Sequence, residues 1–265
     1  MQKSGSREAR VIMQFDYGGQ PIRLNMPDRS SLLAEIRRRF AAGQGFALAT
    51  INLDHLVKLR HDPAFRAAYG AQDLVVADGN PIVWLSRLAE RPVQLVPGSD
   101  LVVPLTELAA QENIPIALVG STDAALQVAA RQLGRQVPGA NIVATIAPPM
   151  GFDAASQSAR DLLHQVQASG ARLCFLALGA PRQEMLAARG RHETPGIGFA
   201  SIGAGLDFLA GTQQRAPLWV RRLALEWAWR MLSAPGRLAP RYLRCAAILP
   251  AEIRAARRLR RHPAR

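Results

Sequence analysis

The sequence predicts an α/β protein: a Rossmann-like parallel sheet with helices on both faces, a small N-terminal hairpin and a basic helical C-terminal appendage. Short apolar runs bounded by turn residues alternate with longer segments of helical periodicity, the pattern of parallel strands joined by helices. With 265 residues, 49% of them hydrophobic, the chain can bury the core of such a sheet. Its positive charge gathers near the C-terminus, which sets an appendage apart from the body.

The chain begins with a polar segment and a hairpin. Residues 1–10 lack the apolar stretch of a secretory signal, so we expect a disordered N-terminus there. Residues 11–25 alternate apolar and polar side chains around a Tyr-Gly-Gly turn, which predicts two short antiparallel strands. The hairpin and the sheet that follows it are predicted to form one catalytic domain over residues 11–212.

Six strands and six helices are expected in this domain after the hairpin. Turn residues bound the strands, and the helices carry apolar positions at helical spacing. The predicted strands are 46–51, 73–77, 115–119, 141–146, 172–178 and 197–202. The predicted helices are 53–69, 81–90, 101–112, 122–136, 154–168 and 182–192.

The C-terminal residues 213–265 carry most of the net charge. From Arg215 to the end the sequence has thirteen Arg, no Lys and two acidic residues, a net +11 out of the +13 of the whole chain. A basic segment attached to a nearly neutral body suits an anionic partner: phosphate-bearing lipid, a membrane surface or nucleic acid. We predict an Arg-rich helical appendage that associates with a membrane.

An apolar stripe runs through the start of this appendage. Trp219, Leu223, Trp227 and Met231 recur at helical spacing. We expect the first two turns to pack their apolar side chains on the body, and the later Trp and Arg residues to lie along anionic headgroups. No run reaches the roughly 18 uninterrupted apolar residues that a membrane-spanning helix needs. The sequence thus predicts a peripheral membrane protein.

Few residues suit a metal or a redox cofactor. Cys174 and Cys245 lie far apart, which gives neither a disulfide framework nor a metal-ligand spacing, and the five histidines are scattered. The Gly-x-Gly at 203–205 lacks the third glycine of a dinucleotide fingerprint, because Phe208 stands there. We therefore predict no bound metal and no cofactor, and we disfavour an NAD-dependent oxidoreductase.

Polar side chains collect where the predicted strands end. In an open parallel sheet, ligands bind outside the carboxyl ends of the strands, so these residues are predicted to share one rim. A simpler role is open to several of them, because Ser, Thr, Asn and Asp commonly cap the helix that follows. The candidate site residues are Thr50, Asn52, Asp78, Asn80, Ser121, Gln183 and Asp207.

Asp78 has the strongest claim among the acidic residues. It ends a strand beside Thr50 and Asn52, where a partly dry cleft would raise the basicity of its carboxylate. Such a base can take a proton from a hydroxyl, which group transfer to an alcohol requires. Ser121 and Gln183 stand at predicted helix starts, where backbone and amide N–H groups can receive phosphate oxygens.

Six ordered blocks between residues 46 and 243 resemble the motifs of the WecG/TagA/CpsF glycosyltransferases (glycosyltransferase family 26, GT-E fold). The blocks are Thr-x-Asn at 50–52, DLVVADGNPIVWLSR, VPGSDL, GAPRQE, GAGLDFLAGTQQRAP and LEWAWRMLSAPGRLAPRY. The resemblance implies an inverting, metal-independent enzyme that moves a sugar from a UDP-sugar to a polyprenyl-diphosphate-linked acceptor. Bacterial exopolysaccharide or surface-glycan biosynthesis is the implied setting, at the cytoplasmic face of the inner membrane.

Residue roles follow from the same resemblance. Thr50 and Asp78 would form the catalytic pair, with Asn52 beside them. Gln183 and Asp207 would contact the nucleotide sugar. The lipid diphosphate would be bound by Arg230, Arg237 and Arg241. The last twenty or so residues extend past the motifs of the family and are expected to be either an additional membrane contact or a flexible tail.

A nucleic-acid-binding protein is the alternative. Its basic tail would track phosphates, and its binding to DNA or RNA would depend steeply on salt. Two tryptophans of the tail, however, belong to an amphipathic stripe, and no recognised nucleic-acid-binding pattern accompanies them. We therefore expect no nucleic-acid partner.

Overall fold

Strands and helices alternate along the chain. A computed structural model describes residues 12–217, 219–220, 223, 226–233 and 235–261, so the predicted disordered segment 1–10 lies outside the described residues. The strands are β1 (Gln14–Tyr17), β2 (Gln20–Arg23), β3 (Phe46–Ile51), β4 (Leu74–Ala77), β5 (Ile116–Gly120), β6 (Ile142–Ile146), β7 (Leu173–Ala177) and β8 (Gly198–Ser201). The helices are α1 (Arg29–Ala41), α2 (Leu53–His61), α3 (Pro63–Gly70), α4 (Asn80–Leu88), α5 (Gly98–Gln111), α6 (Asp123–Gln136), α7 (Gln157–Ala168), α8 (Arg182–Glu193), α9 (Gly205–Ala210), α10 (Glu226–Ser233) and α11 (Pro235–Arg261).

The main sheet has six strands in the order β4-β3-β8-β7-β5-β6, all parallel. β1 and β2 pair antiparallel as a separate hairpin. The predicted parallel sheet and N-terminal hairpin are confirmed. Because β3 and β8 are neighbours inside the sheet, the loops that follow them lie next to each other at its carboxyl edge.

Helix α1 is missing from the sequence-based prediction. The Asp28 carboxylate accepts a hydrogen bond from the Ser31 backbone N at 2.7 Å and caps the helix start. Leu32, Ile36 and Phe40 then recur every four residues and are buried against the sheet. Glutamate and arginines at the positions between them mask this apolar pattern in the sequence.

The single helix predicted at 53–69 is wrong, because the structure divides it into α2 and α3. Asp62 ends the first helix and caps the second, its carboxylate accepting a hydrogen bond from Phe65 N at 3.0 Å. Pro63 occupies the first position of α3, where its missing N–H costs no hydrogen bond. The Asp-Pro pair is thus a boundary signal that the apolar periodicity hides.

Helices cover both faces of the sheet. On one face Leu48 of β3 packs in a buried cluster with residues of α1 and α5. On the other face Ile51 packs with Leu56 and Phe65 of α2 and α3. Every residue of β3, β4, β5, β7 and β8 is buried, whereas β6 at the sheet edge is partly exposed throughout. The carboxyl edge therefore belongs to a sheet in which five of the six strands are buried along their whole length.

Helix α11 lies against the body over its C-terminal half. Ile248 and Ala256 belong to the same buried cluster as Leu56 of α2. The carboxylate of Glu252, also buried, accepts hydrogen bonds from Tyr17 Oη at 2.8 Å and from Arg60 Nη2 at 2.6 Å. The last residues that the structure describes are therefore a docked helix. Of the two alternatives for the end of the chain, the flexible tail is wrong as far as Arg261.

The apolar stripe before α11 faces outward. Trp219 is 63% exposed and Leu223 is 62% exposed, so the expected packing of the first two turns on the body is wrong. Val220 takes the buried position of that turn instead. Trp227 further along is 46% exposed, with its ring in edge contact with Tyr242 of α11. Among the described residues no helix has the length and apolar character to cross a bilayer.

Candidate active site

Asp78 and Asn52 lie side by side at the carboxyl edge. Thr50 pairs with Val76 and Ile51 with Ala77 in the parallel ladder, so the next residues on the two strands are Asn52 and Asp78. The Asp78 backbone N donates to the Ile51 carbonyl at 2.7 Å. A Cβ on Gly79, the next residue, would lie 3.9 Å from Asn52 Cβ. The structure thus brings together the predicted base and its predicted neighbours.

Asp78 does not serve as the cap that its position allowed. The cap of α4 is Gly79, whose φ of +100° suits glycine and which has no side chain to accept a hydrogen bond. Asp78 stays half-buried, and its negative charge contributes to the raised pKa of Tyr69, after burial and Glu184. Asn80 opens α4 directly beyond it.

Thr50 sits under the start of helix α5. Its side chain is buried, and a Cβ on Gly98 would lie 3.1 Å from Thr50 Oγ1 and equally close to Ile202 Cα. The N-terminus of helix α5 therefore lies at this part of the carboxyl edge, without a side-chain cap. Gly98 has no assigned role in the sequence-based prediction. The sequence signal that could have identified Gly98 is a glycine at a helix start, two residues before the acidic Asp100.

Asn52 combines a structural and a positional role. Its side-chain oxygen accepts a hydrogen bond from His55 N at 3.1 Å and caps α2, as the simpler interpretation of such residues predicts. Its backbone also continues β3 toward Asp78. The helix that it caps carries Asp54 and Lys58, which form an ion pair, so two charged side chains lie within the first two turns after Asn52.

Ser121 and Asp207 are bonded to each other across the rim. Ser121 Oγ donates to Asp207 Oδ1 at 2.5 Å. Thr122, and not Ser121, caps α6 by accepting from Ala125 N at 3.3 Å. Asp207 accepts a further hydrogen bond from Gln213 Nε2 at 2.9 Å. Asp207 therefore does not cap α9, which begins at Gly205, but ties the loop after β5 to α9 and to the segment that follows α9.

Gln183 is buried and fully engaged in the structure. Its Nε2 donates to Glu184 Oε1 at 2.7 Å, and its Oε1 accepts from the backbone N of Gly203 at 3.2 Å. Burial raises the pKa of the Glu184 carboxyl to about 7, against the opposing effects of the Gln183 hydrogen bond and Lys58. Glu184 was not predicted as a site residue, since its burial depends on how α8 packs.

Arg241 meets the body at α2. Its guanidinium forms an ion pair with Asp54 Oδ1 at 3.2 Å, and Lys58 binds the other oxygen of Asp54 at 2.9 Å. Burial opposes ionisation of Asp54, yet these two cations outweigh it and lower the pKa of the carboxyl. The predicted Arg230 and Arg237 belong to α10 and α11, and their side chains lie outside the part of the chain that the structure describes.

A second cluster of charge flanks the rim between α5 and α9. A cavity of about 450 Å³ opens there, lined in part by Ser99 and Arg29. Arg215 forms an ion pair with Asp100 and lies over the ring of Phe208, 5.7 Å from its centroid. These contacts fix the start of the appendage on the body. Across the described residues, no three His, Cys, Asp or Glu side chains are grouped so as to hold a metal ion.

A buried parallel sheet that gathers a half-buried carboxylate, hydroxyls and helix starts at one edge is the architecture of open α/β enzymes, which bind their ligands in that crevice. Sequence comparison identifies which enzymes these are. The profile of the Glycosyl transferase WecG/TagA/CpsF family matches residues 20–263, and the chain belongs to this family of glycosyltransferases. The match reaches residue 263, so the expectation that the last twenty or so residues extend past the family pattern is wrong.

One curated relative gives the comparison more detail. The chain is 27% identical over 196 residues to the N-acetylglucosaminyldiphosphoundecaprenol N-acetyl-beta-D-mannosaminyltransferase of Bacillus spizizenii. The similar region covers 73% of this chain and 74% of the relative. By its name, that relative transfers N-acetylmannosamine to an N-acetylglucosamine carried on undecaprenyl diphosphate.

Proposed function

We propose that the protein is an inverting, metal-independent glycosyltransferase that moves a sugar from a UDP-sugar to a polyprenyl-diphosphate-linked acceptor. The observation that carries the proposal is the adjacency of Asp78 to Asn52, two residues past Thr50 on the neighbouring strand, at the carboxyl edge of the sheet. Membership of the glycosyltransferase family gives the reaction class. The proposed setting is exopolysaccharide or surface-glycan biosynthesis in bacteria.

The reaction is a single displacement. The Asp78 carboxylate removes the proton from the acceptor hydroxyl, and the oxygen attacks the anomeric carbon of the donor from the side opposite UDP. The new glycosidic bond forms as the bond between sugar and diphosphate breaks, and the anomeric configuration inverts. Thr50 and Asn52 orient the reacting groups from the neighbouring strand end.

The leaving diphosphate gains negative charge, which needs fixed donors in place of a metal. The starts of α5 and α6 face the rim with backbone N–H groups, and a helix start favours negative charge. Ser121, Gln183 and Asp207 form the hydrogen-bonded wall on that side, where we place the nucleotide. Arg230, Arg237 and Arg241 are the proposed ligands of the lipid diphosphate.

The acceptor is proposed from the relative. That protein acts on an N-acetylglucosaminyl group attached to undecaprenyl diphosphate, and an acceptor of the same class suits a chain whose +11 charge lies in residues 215–265. We propose UDP-N-acetylmannosamine as the donor to test first. The lipid tail of the acceptor stays in the bilayer, so the enzyme is placed at the cytoplasmic face of the inner membrane as a peripheral protein.

Asp78→Asn tests the proposed function. Removing the base should lower kcat at least about a thousandfold, while UDP binding stays within about twofold, because an amide keeps the shape but takes no proton. Transfer is measured with a soluble polyprenyl-type acceptor, and UDP binding by calorimetry. Asp161→Asn, an exposed carboxylate on α7, is the matched control and should behave as the wild type. Full activity of Asp78→Asn would refute this mechanism.

A further inference from the structure

We propose that Glu184 is a positioning residue for the nucleotide-sugar donor, acting through Gln183 on the loop between β8 and α9. The inference rests on the proposed nucleotide-sugar donor. It extends the site from the rim into the interior of the protein, to a carboxyl group that never touches the substrate.

The setting of Glu184 is not that of a stabilising core residue. Its side chain is 0% exposed, and its Oε1 accepts the hydrogen bond from Gln183 Nε2 at 2.7 Å. Its Oε2 is buried without a hydrogen-bond partner among the described residues. Burying a carboxyl group in which one oxygen lacks a hydrogen-bond partner is unfavourable. An apolar side chain would fill this position with a smaller loss of folding free energy. The group therefore points to a role beyond packing.

Hydrogen bonds lead from Glu184 to the rim. Gln183 receives the backbone N–H of Gly203 at 3.2 Å, and Gly203, with φ of +58°, begins the turn into α9. Helix α9 carries Asp207, which receives the hydroxyl hydrogen of Ser121 from the next loop. Holding the Gln183 amide in one position therefore also holds the neighbouring Ser121 and Asp207, where we place the nucleotide.

The groups around Glu184 allow its charge to change. Lys58 of α2 favours the ionised form, and Tyr69 of α3 and Glu184 interact electrostatically, as Tyr69 does with Asp78. The strands β3, β7 and β8 that pack on α8 contribute no charged residue. Helix α7 packs on α8 too, but its charged or titratable residues are exposed; they are Arg160, Asp161 and His164. Burial places the pKa of Glu184 at about 7.

Ionisation strengthens the hold on Gln183. A hydrogen bond to a carboxylate is roughly twice as strong as one to a neutral carboxyl group, so the Gln183 amide is held more firmly above pH 7 than below it. A Gln183 amide that is held more firmly keeps Gly203, and the wall formed by Ser121, Gln183 and Asp207, in the geometry that binds the donor. The affinity for the donor should therefore rise with pH, by about fivefold between pH 6 and pH 8.

The experiment measures binding of UDP-N-acetylmannosamine to the full chain by calorimetry at pH 6, 7 and 8. This diphosphate diester has no group of its own that titrates in that range. The wild type should show the increase of about fivefold. Glu184→Gln and Glu184→Met should show no pH dependence, because neither side chain ionises. Glu193→Gln, at the other end of the same helix and paired with Arg189, is the matched control and should keep the wild-type dependence.

Two results would overturn the inference alone. One is the same pH dependence in Glu184→Gln as in the wild type. The other is a wild-type affinity that does not change with pH, which decides the matter even if neither Glu184 variant folds. A wild type and a Glu193→Gln control that bind no UDP-sugar at any pH would instead remove the proposed donor, and the inference with it.

Discussion

Gly98 sets how closely helix α5 approaches the strand end that carries Thr50. An added Cβ would lie 3.1 Å from both Thr50 Oγ1 and Ile202 Cα, which is tighter than ordinary van der Waals contact. The residues of one strand end could be predicted from the sequence, because parallel neighbours bring Asn52 and Asp78 together. The close approach of α5 could not, since it depends on packing between segments distant in the chain.

We expect Gly98→Ala to lower kcat/KM at least about tenfold, because the extra methyl group displaces either Thr50 or the start of α5. Steady-state kinetics check this, with an expected loss of about 1 kcal/mol in the free energy of unfolding. Gly134→Ala is the control: it lies in helix α6 with nothing within 4 Å of its added Cβ. It should keep full activity and gain up to about 1 kcal/mol. Unchanged kinetics in Gly98→Ala would contradict a role for this contact.

Glu184 also makes stability depend on pH. Its pKa of about 7 in the folded protein lies above the ordinary 4.5, so the folded state binds more protons than the unfolded state between these values. The wild type should therefore lose stability relative to Glu184→Gln as pH rises from about 4.5 to about 7, by on the order of 3 kcal/mol. Urea unfolding at several pH values measures this difference. Parallel curves for the two proteins would show that Glu184 does not titrate there.

At the scale of elements, helix α11 is joined to the body by a buried ion pair. Glu252 accepts from Arg60 of α2 and from Tyr17 of the hairpin, which links three elements distant in sequence. The sequence predicts a basic helix here, but not the surface of the body against which it packs. Ile248, Glu252 and Ala256, spaced four apart, form the buried face. Arg254 between them and the arginines that follow Ala256 give the helix the sequence pattern of a solvent-exposed one.

Glu252→Ala should lower the free energy of unfolding by about 3 kcal/mol, because it leaves the Arg60 guanidinium partly buried without its partner. Chemical denaturation gives this value. The control breaks an ion pair of the same helix that is exposed on both sides, Arg260 with Glu90. Arg260→Ala should change stability by less than about 0.5 kcal/mol. Equal effects of the two substitutions would show that α11 is not anchored through Glu252.

At the scale of the whole molecule, apolar and basic residues lie on the exposed side of the appendage. Leu232 is 77% exposed and Leu243 is 71% exposed, on the two helices that follow the body. The fold class and the asymmetry of charge could be predicted from the sequence alone. Which apolar residues face outward could not, because an amphipathic stripe has the same spacing whether it packs on protein or on lipid.

Leu232→Ser with Leu243→Ser should weaken binding to vesicles that contain anionic phospholipid by about tenfold, since the proposed membrane contact would lose two apolar side chains. Vesicle flotation measures the bound fraction, which should also fall as salt rises. Val143→Ser, a partly exposed apolar residue on β6, is the control and should float as the wild type. Tight binding to DNA in a gel shift, with no flotation, would favour the nucleic-acid-binding alternative.

The seat of α11 on α2 has a mechanical consequence. Asn52 caps α2 and stands next to the proposed base, while Asp54 and Arg60 of the same short helix are gripped by Arg241 and Glu252. Detergent or a strongly curved bilayer that separated α11 from the body would also displace α2, the helix that Asn52 caps. On the proposed function, detaching α11 from the body would therefore disturb the position of Asn52 beside Asp78 before the protein unfolds.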